Sequence, residues 1–335
     1  MEYRKLGQTE INISEIAFGA WAIGGWLWGG ADSNDAIKAI ETAVDHGMTT
    51  IDTAAVYGFG LSEELVGKAV KGKRSKVQIL TKFGLVWTEE KGAFHFASQD
   101  NNGNPVRLYR YSSKEKIISD CDLSLKRLGT DYIDLFQMHW SDPTTPVSES
   151  MEAFEILVKK GKIRSGAVCN YSVELMTEAE KTFAIASNQV PYSMINRGIE
   201  KDVIPYCIRN NKGILAYSPL QRGLLTGKIK QGHKFNEGDN RPESVWYKEP
   251  NLSRIIEFTD NLKKIADDRS VTLSQLVLNW TIHQPGITCA LAGARNQAQV
   301  LENIKAVDFR LTKDEIERIN TLLSNLKLET IIFKR

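Results

Sequence analysis

Residues 47–58 read GMTTIDTAAVYG, and the fold prediction starts from this stretch and the helical pattern that follows it. The first part, 49–53, is rich in β-branched residues, which predicts a short strand. After the turn, residues 61–71 have apolar side chains spaced as on one face of a helix. A strand that leads into a helix is the unit from which parallel sheets are built.

The same unit recurs along the whole chain. Strands are predicted at 16–21, 49–53, 77–82, 133–139, 165–169, 188–192, 213–217 and 288–292. Helices are predicted near 33–47, 61–71, 113–128, 148–160, 172–183, 200–211, 272–283 and 296–305, with two further helices near 253–268 and 312–324. Eight such repeats predict the α/β class and a (β/α)8 TIM barrel. The main alternative is a doubly wound sheet, but residues 19–25 read GAWAIGG and lack its GxGxxG fingerprint.

Two long segments, at about 85–111 and 230–250, lack any helical or strand period. Segments of this length in a compact domain are usually functional lids or disordered. Each follows a predicted strand, which in a barrel places both at the C-terminal face, where active sites lie. We therefore expect one barrel domain over residues 1–335 with two long loops inserted at this face.

Composition excludes several classes of protein. Lys+Arg is 43 and Asp+Glu is 41, and the net charge of only +2 argues against a nucleic-acid-binding protein, which would need a concentrated basic face. The hydrophobic fraction of 42% argues against general disorder. The uncharged run 16–31 is shorter than the roughly 20 apolar residues of a membrane helix, and polar residues precede it, unlike a secretory signal. We expect a cytoplasmic protein that binds neither membranes nor nucleic acid.

The four cysteines, at positions 121, 169, 207 and 289, have neither CxxC nor CxH spacing. The absence of both spacings argues against a zinc ribbon or a redox dithiol. We therefore expect reduced thiols and no metal.

Four side chains with acid–base chemistry lie at or just after three successive predicted strands. Asp52 ends the second strand and Tyr57 follows it, Lys82 ends the third, and His139 ends the fourth. A barrel brings the ends of its strands together at one mouth, so these four groups are predicted to converge. Each residue alone is more often structural than catalytic, and the prediction rests on the four together.

The stretch 47–58, with Ser62-Glu63 after it, resembles the signature of the aldo-keto reductase family. The resemblance covers nearly the whole chain. Within the family, the chain looks most like bacterial reductases of the branch that also holds the potassium-channel beta subunits. Its further motifs are, in order, Leu6-Gly7, Thr81-Lys82, Asp134-Leu135 with His139, Gly161-Lys162-Ile163-Arg164, Asn170-Tyr171-Ser172, Tyr217-Ser218-Pro219-Leu220, Gly223-Leu224-Leu225-Thr226-Gly227-Lys228 and Gly293-Ala294-Arg295.

The resemblance implies reversible hydride transfer between a nicotinamide and a carbonyl or alcohol. It assigns Tyr57 as the general acid, and Lys82 as a cation that lowers the pKa of the phenol. Asp52 would hold Lys82, and His139 would donate a hydrogen bond to the carbonyl oxygen. The alternative interpretation is that Asp52 and Lys82 form only a buried structural ion pair.

The resemblance also implies a cofactor site. It assigns cofactor contacts to Ala20, Trp21, Asp52, Cys169, Asn170, Gln189, Tyr217, Ser218, Pro219, Leu220, Arg222, Lys228, Gly293, Arg295, Gln299, Glu302 and Asn303. Asn170 and Gln189 would hold the nicotinamide carboxamide, and Tyr217 would stack on its ring. A guanidinium can grip a 2′-phosphate with two hydrogen bonds, so Arg295 favours NADP or NADPH over NADH. Cys169 departs from the family, which usually has Ser there, and a thiol is the weaker hydrogen-bonding group.

The substrate is expected to be a small carbonyl or alcohol. The pocket is predicted to be lined by Trp21, Trp26, Trp28 and Trp87 and by the other aromatic residues of the segment 85–111, namely Phe94, Phe96, Tyr109 and Tyr111. For the aromatic residues of that segment, packing in the core is the alternative. Two other functions compete with that of a reductase. One is a regulatory or sensor subunit that binds NADPH with little turnover, and the other is a barrel lyase or isomerase.

Overall fold

A closed barrel of eight parallel strands forms the centre of the molecule. The structure, a computed structural model, describes residues 1–329, so the last six residues of the predicted domain lie outside it. The strands in chain order are β1 Tyr3–Lys5, β2 Asn12–Ser14, β3 Ile16–Gly19, β4 Thr50–Asp52, β5 Gln78–Phe83, β6 Leu85–Val86, β7 Ala93–Gln99, β8 Pro105–Arg110, β9 Ile133–Met138, β10 Ile163–Cys169, β11 Ser187–Pro191, β12 Gly213–Tyr217 and β13 Cys289–Gly293.

The barrel runs β3, β4, β5, β9, β10, β11, β12 and β13, and β13 pairs with β3 to close it. These eight strands are the predicted eight, within three residues at each end, so the predicted TIM barrel is confirmed. Leucines from four of the strands, Leu80, Leu135, Leu215 and Leu291, fill the interior below the mouth. A filled interior makes the barrel a rigid support that leaves only its rim for chemistry.

Helices surround the barrel and begin and end close to the predicted bounds. They are α1 Ser33–Asp45, α2 Leu61–Ala69, α3 Lys114–Leu128, α4 Val147–Lys159, α5 Val173–Ala179, α6 Val203–Arg209, α7 Asn251–Asp268, α8 Leu273–Ile282, α9 Gln297–Ile304 and α10 Lys313–Asn325. Their apolar faces pack on the outside of the sheet in one continuous core. Within residues 1–329, no helix combines the length and the apolar character that crossing a membrane requires.

The N-terminal residues form a hairpin that the sequence analysis did not predict. Strands β1 and β2 pair antiparallel, and the buried side chains of Leu6, Ile11 and Ile13 join the cluster inside the barrel. The hairpin precedes β3, so it closes the end of the barrel opposite the site.

The segment 85–111 is a three-stranded antiparallel sheet, which corrects the prediction of an irregular loop. Its turn is built around Asp100, whose carboxylate accepts the backbone N–H groups of Asn102 and Asn104. The pairing of β7 with β8 shifts in register between Phe94 and Phe96, and this irregularity hides the two-residue period of the strand. The sheet follows β5 and therefore stands at the C-terminal face.

The segment 230–250 keeps its predicted irregular character, with short 3-10 turns at Arg241–Glu243 and Val245–Tyr247. It follows β12 and extends across the mouth, where Asp239 forms a bridge with Trp28. Both inserted segments thus border the same opening.

Candidate active site

The four predicted catalytic side chains meet at the C-terminal mouth of the barrel. Asp52 is the last residue of β4, Lys82 is near the end of β5, and His139 directly follows β9. Tyr57 lies on the turn between β4 and α2. Ser62, at the start of α2, anchors this turn, because its hydroxyl donates to the carbonyl of Ala20 at 2.9 Å.

Lys82 is the hub of the cluster. Its ammonium donates to Asp52 Oδ1 at 2.6 Å, to the carbonyl of Thr53 at 2.8 Å and to Tyr57 Oη at 3.3 Å. The side chains of Lys82 and Asp52 are 0% and 4% exposed. A buried ion pair whose cation also contacts a phenol is arranged to stabilise negative charge on that phenol.

Burial changes the proton affinity of this cluster in a direction that the sequence analysis did not expect. Burial raises the pKa of Tyr57 to about 12, although Lys82 opposes the shift. Lys82 acts in the expected direction, since its charge and its hydrogen bond both lower the phenol's pKa, but desolvation of the phenolate outweighs this effect and the net shift is upward. For Lys82, burial disfavours the charged form, but the charge and hydrogen bond of Asp52, together with the neighbouring Tyr57 and Cys169, outweigh burial, and the pKa of Lys82 lies above its ordinary value.

His139 stands over the phenol as a neutral imidazole. Burial, together with the positive charge of Lys82, holds the pKa of His139 well below 6.5. Its ring meets that of Tyr57 edge-on with centroids 5.7 Å apart, and Trp21 stacks on Tyr57 with centroids 6.0 Å apart. A neutral imidazole has one N–H to donate, which suits an oxygen acceptor in the cavity that His139 and Tyr57 both line.

A cavity of about 550 Å³ opens above this cluster. The predicted catalytic side chains of Asp52, Tyr57 and His139 line it, whereas Lys82 is buried beneath its floor. All the predicted cofactor residues except Ala20 line it as well. Of the predicted substrate residues, Trp21, Trp26 and Trp28 belong to the wall.

Trp87 is placed differently from the prediction. It packs against Phe59 with ring centroids 5.5 Å apart and does not contribute to the wall of the cavity. The sequence shows that residue 87 lies in an aromatic segment, but the direction of the side chain depends on the pairing of β6 with β8, which the sequence pattern did not reveal.

The inner end of the cavity presents amides and one tyrosine. Tyr217 Oη donates to Asn170 Oδ1 at 2.9 Å, and Asn170 Nδ2 donates to the carbonyl of His139 at 3.2 Å. Asn170 has a φ of 58°, a left-handed conformation that asparagine tolerates better than most residues. Burial raises the pKa of Cys169, so this residue is a neutral thiol beside the amides.

The loop after β12 follows a strained path along the cavity. Ser218, Gln221 and Arg222 all have positive φ values, of 56°, 46° and 55°. Such strain in non-glycine residues concentrates at functional sites. The path carries the guanidinium of Arg222 to 4.8 Å from the ring centroid of Trp21 and 5.0 Å from that of Trp28.

Arg222 fits an anionic ligand. Its Nε is buried without a hydrogen-bond partner in the described part of the chain, and burial lowers the pKa of the guanidinium to about 10. A buried cation with an unused donor is expected to gain from a phosphate oxygen. The part of the cavity beside Arg222 therefore fits the phosphates of a dinucleotide.

The outer end of the cavity is formed by the start of α9. The backbone N–H of Arg295 donates to Gln299 Oε1 at 2.8 Å, and Asn303 donates to the carbonyl of Gly293 at 3.4 Å. Lys228 reaches across to Glu302 at 3.2 Å. Within residues 1–329 no carboxylate pairs with the guanidinium of Arg295, so its charge is available to a ligand.

Several wall residues were not predicted. His95 comes from β7, Trp140 follows His139, and Arg241 comes from the segment 230–250. Phe96, also from β7, is one of the predicted aromatic residues of the segment 85–111, and it lies in the wall. His95 contacts Trp140 with ring centroids 5.4 Å apart. Trp140 could have been predicted as a wall residue because it directly follows His139. His95 could be assigned to the wall only once the pairing of β7 was known.

The fold and the site together define a barrel oxidoreductase that acts on carbonyl or alcohol groups. The model of the Aldo/keto reductase family matches residues 15–324, and the chain belongs to this family.

Three curated relatives illustrate the range of the family. The chain is 38% identical to the aldo-keto reductase YhdN of Bacillus subtilis, over 97% of this chain and 94% of the relative. It is 34% identical to an NADH-specific methylglyoxal reductase of Escherichia coli, over 92% and 94%. It is 29% identical to a probable voltage-gated potassium channel subunit beta of Arabidopsis thaliana, over 95% and 96%, so the resemblance to that branch is confirmed.

Solved structures agree with the fold. The glycerol dehydrogenase AKR11B4 from Gluconobacter oxydans superposes with a TM-score of 0.87 at 34% identity, covering 99% of this chain and 98% of that one. An aldo/keto reductase from Klebsiella pneumoniae in complex with NADP and acetate gives a TM-score of 0.73 at 28% identity, covering 99% and 100%. The complex with NADP therefore supports a nicotinamide cofactor for this family.

Proposed function

We propose that this protein is an NADPH-dependent aldo-keto reductase in which Tyr57 is the general acid in reduction and the general base in oxidation. The observation that carries the proposal is the contact of Lys82 with both Asp52 and Tyr57 at the floor of the cavity. The regulatory subunit that binds NADPH with little turnover is the alternative. A purely structural ion pair would not need a phenol as third partner, nor a cavity above it.

Each side chain has a separate role in the reaction. A bound reduced nicotinamide supplies the hydride that the carbonyl carbon accepts. Tyr57 Oη gives its proton to the carbonyl oxygen, and Lys82 at 3.3 Å stabilises the phenolate that remains. The neutral imidazole of His139 donates a hydrogen bond to the same oxygen and orients the substrate. In the oxidation direction the phenolate of Tyr57 takes the proton back.

The cofactor is held along the length of the cavity. Asn170 and Gln189 hold the carboxamide, Tyr217 stacks on the ring, and the loop with Arg222 covers the phosphates. Arg295, two residues before the start of α9, takes the 2′-phosphate. This last contact is the reason to propose NADPH for this chain, although the relative from Escherichia coli is named NADH-specific.

Replacing Arg295 tests the choice between the two cofactors. We expect Arg295→Gln to weaken NADPH binding roughly tenfold to a hundredfold, because a charge-assisted pair is lost, and to leave NADH binding unchanged. Quenching of tryptophan fluorescence measures both affinities. The control is Arg310→Gln, whose guanidinium contacts Glu2 outside the cavity. An equal loss for both cofactors would contradict the assignment.

The pKa of Tyr57 sets opposite pH profiles for the two directions. Because the phenol titrates at about 12, it remains a proton donor at every pH from about 6 to 9, and reduction is expected to be flat over that range. The phenolate needed for oxidation is scarce there, and its fraction rises about tenfold per pH unit. We therefore expect kcat/KM for alcohol oxidation to rise steadily with pH. Steady-state rates in both directions check this, and an oxidation profile that falls with pH would contradict it.

The substrate is proposed to be an aldehyde, a ketone or a sugar carbonyl. The rings of Trp21, Trp26 and Phe96 provide apolar faces that suit both hydrocarbon and the C–H faces of sugars. A panel of small aldehydes, ketones, polyols and sugars, with NADPH or NADP and the loss or gain of reduced cofactor as the signal, tests the proposal. Cofactor binding without turnover on the whole panel would favour the regulatory function. Absence of cofactor binding would exclude both.

We also propose that the enzyme works in the cytoplasm. The four cysteines are buried and unpaired, as expected in a reducing compartment.

A further inference from the structure

Two glutamine amides hold the oxygen of Asp52 that Lys82 does not use. Gln189 Nε2 donates to Asp52 Oδ2 at 2.7 Å, and Gln137 Nε2 donates to the same oxygen at 3.2 Å. Gln189 Nε2 also donates to Gln137 Oε1 at 3.2 Å. Both glutamines are buried, at 0% exposure for Gln137 and 3% for Gln189. The sequence analysis did not predict Gln137.

The chemistry of Asp52 dictates which way both amides point. An ionised carboxylate only accepts hydrogen bonds, so the nitrogen of each amide, and not its oxygen, must face it. The amide of Gln189 has two N–H groups, and Asp52 and Gln137 take one each. Only Gln189 Oε1 is then left for a ligand, and Gln189 lines the cavity whereas Gln137 does not.

We propose that Gln137 is a positioning residue that fixes the amide of Gln189 with its carbonyl oxygen toward the cavity, so that the site accepts an N–H of the nicotinamide carboxamide. The inference rests on the proposed function, which places the carboxamide at Gln189. It extends that function by naming a residue outside the cavity that sets what the cavity recognises.

Gln137 is needed in addition to Asp52. Without Gln137 Oε1, one N–H of Gln189 has no acceptor in a buried site, and an unsatisfied buried donor is costly. The amide then gains by rotating so that this N–H faces the cavity. A carboxamide N–H would in that case meet a donor instead of an acceptor.

A pair of cofactors tests this by binding alone. In 3-acetylpyridine adenine dinucleotide phosphate a methyl group replaces the carboxamide NH2 of NADP, while the carbonyl oxygen is kept. The wild-type protein is expected to bind NADP roughly threefold to tenfold more tightly than this analogue, which is the value of one hydrogen bond. In Gln137→Met, which keeps the side-chain length, the ratio of the two affinities is expected to fall to about one. Tryptophan quenching gives each Kd.

The control is Asn279→Leu, which removes a buried amide bonded to the carbonyls of Ala306 and Phe309, away from the cavity. Its affinity ratio is expected to equal that of the wild type. If Gln137→Met does not fold, Gln137→Asn replaces it, since the shorter amide does not span the contacts of Gln137. A ratio that stays at the wild-type value in the variant, or a wild-type ratio near one, overturns the proposal. Failure of the wild type to bind either cofactor instead overturns the proposed function.

Discussion

Tyr57→Phe is expected to lower kcat for carbonyl reduction by about 10²- to 10⁴-fold, the contribution of a positioned general acid, while NADPH binding is unchanged. The phenyl ring keeps its stacking on Trp21 and its edge contact with His139, so the cavity keeps its shape. Lys82 keeps Asp52 and the carbonyl of Thr53 as partners, so no buried charge is left alone. Steady-state kinetics and a fluorescence titration of the purified variant measure the two effects.

A matched variant separates this loss from a general effect of removing a buried hydroxyl. Tyr192 is also buried, and its hydroxyl donates to Glu200 at 2.6 Å, but it does not line the cavity. Tyr192→Phe is expected to turn over at the wild-type rate. Equal rates for Tyr57→Phe and the wild type would remove Tyr57 from the mechanism.

Lys82→Met is expected to have the largest effect on stability. It leaves the carboxylate of Asp52 buried without its cation, and breaking a buried pair in this way costs roughly 3–5 kcal/mol of unfolding free energy. Turnover is expected to fall as well, because the phenolate of Tyr57 loses the charge that stabilises it. Urea unfolding and steady-state kinetics of the variant provide the two readouts.

The double variant Asp52→Asn with Lys82→Met distinguishes the structural from the catalytic role of the pair. Removing both charges is expected to restore most of the stability, because no unpaired ion remains buried. Turnover is expected to stay low, since Tyr57 still lacks its cation. Recovery of turnover together with stability would mean that the pair is structural only, which is the alternative interpretation of the sequence.

The barrel could be predicted because its signals are local. Each strand reads as a short apolar run and each helix has a spacing of three and four, so the eight units and the positions of Asp52, Lys82 and His139 at strand ends followed from the pattern. Convergence of these ends is a property of the closed parallel sheet, not of any single residue.

The features that the sequence did not predict depend on strand pairing between residues far apart in the chain and on burial. The sheet β6–β8 is antiparallel with a register shift, and this pairing decides that Phe96 faces the cavity while Trp87 packs on Phe59. The raised pKa of Tyr57 depends on desolvation by the surrounding structure, which the presence of Lys82 in the sequence does not reveal. Gln137 lies in the middle of an apolar strand, and only the closed barrel brings its amide to Asp52.

Transfer of deuterium from the cofactor tests the central claim most directly. The wild-type protein is incubated with NADPH that carries deuterium at the transferring position of the nicotinamide and with the most active aldehyde of the panel, and the product is analysed by mass spectrometry. We predict an alcohol with one deuterium on the former carbonyl carbon, formed about 10²- to 10⁴-fold more slowly by Tyr57→Phe. An alcohol without deuterium, or no alcohol from any carbonyl although NADPH binds, would contradict the assignment of this site to carbonyl reduction.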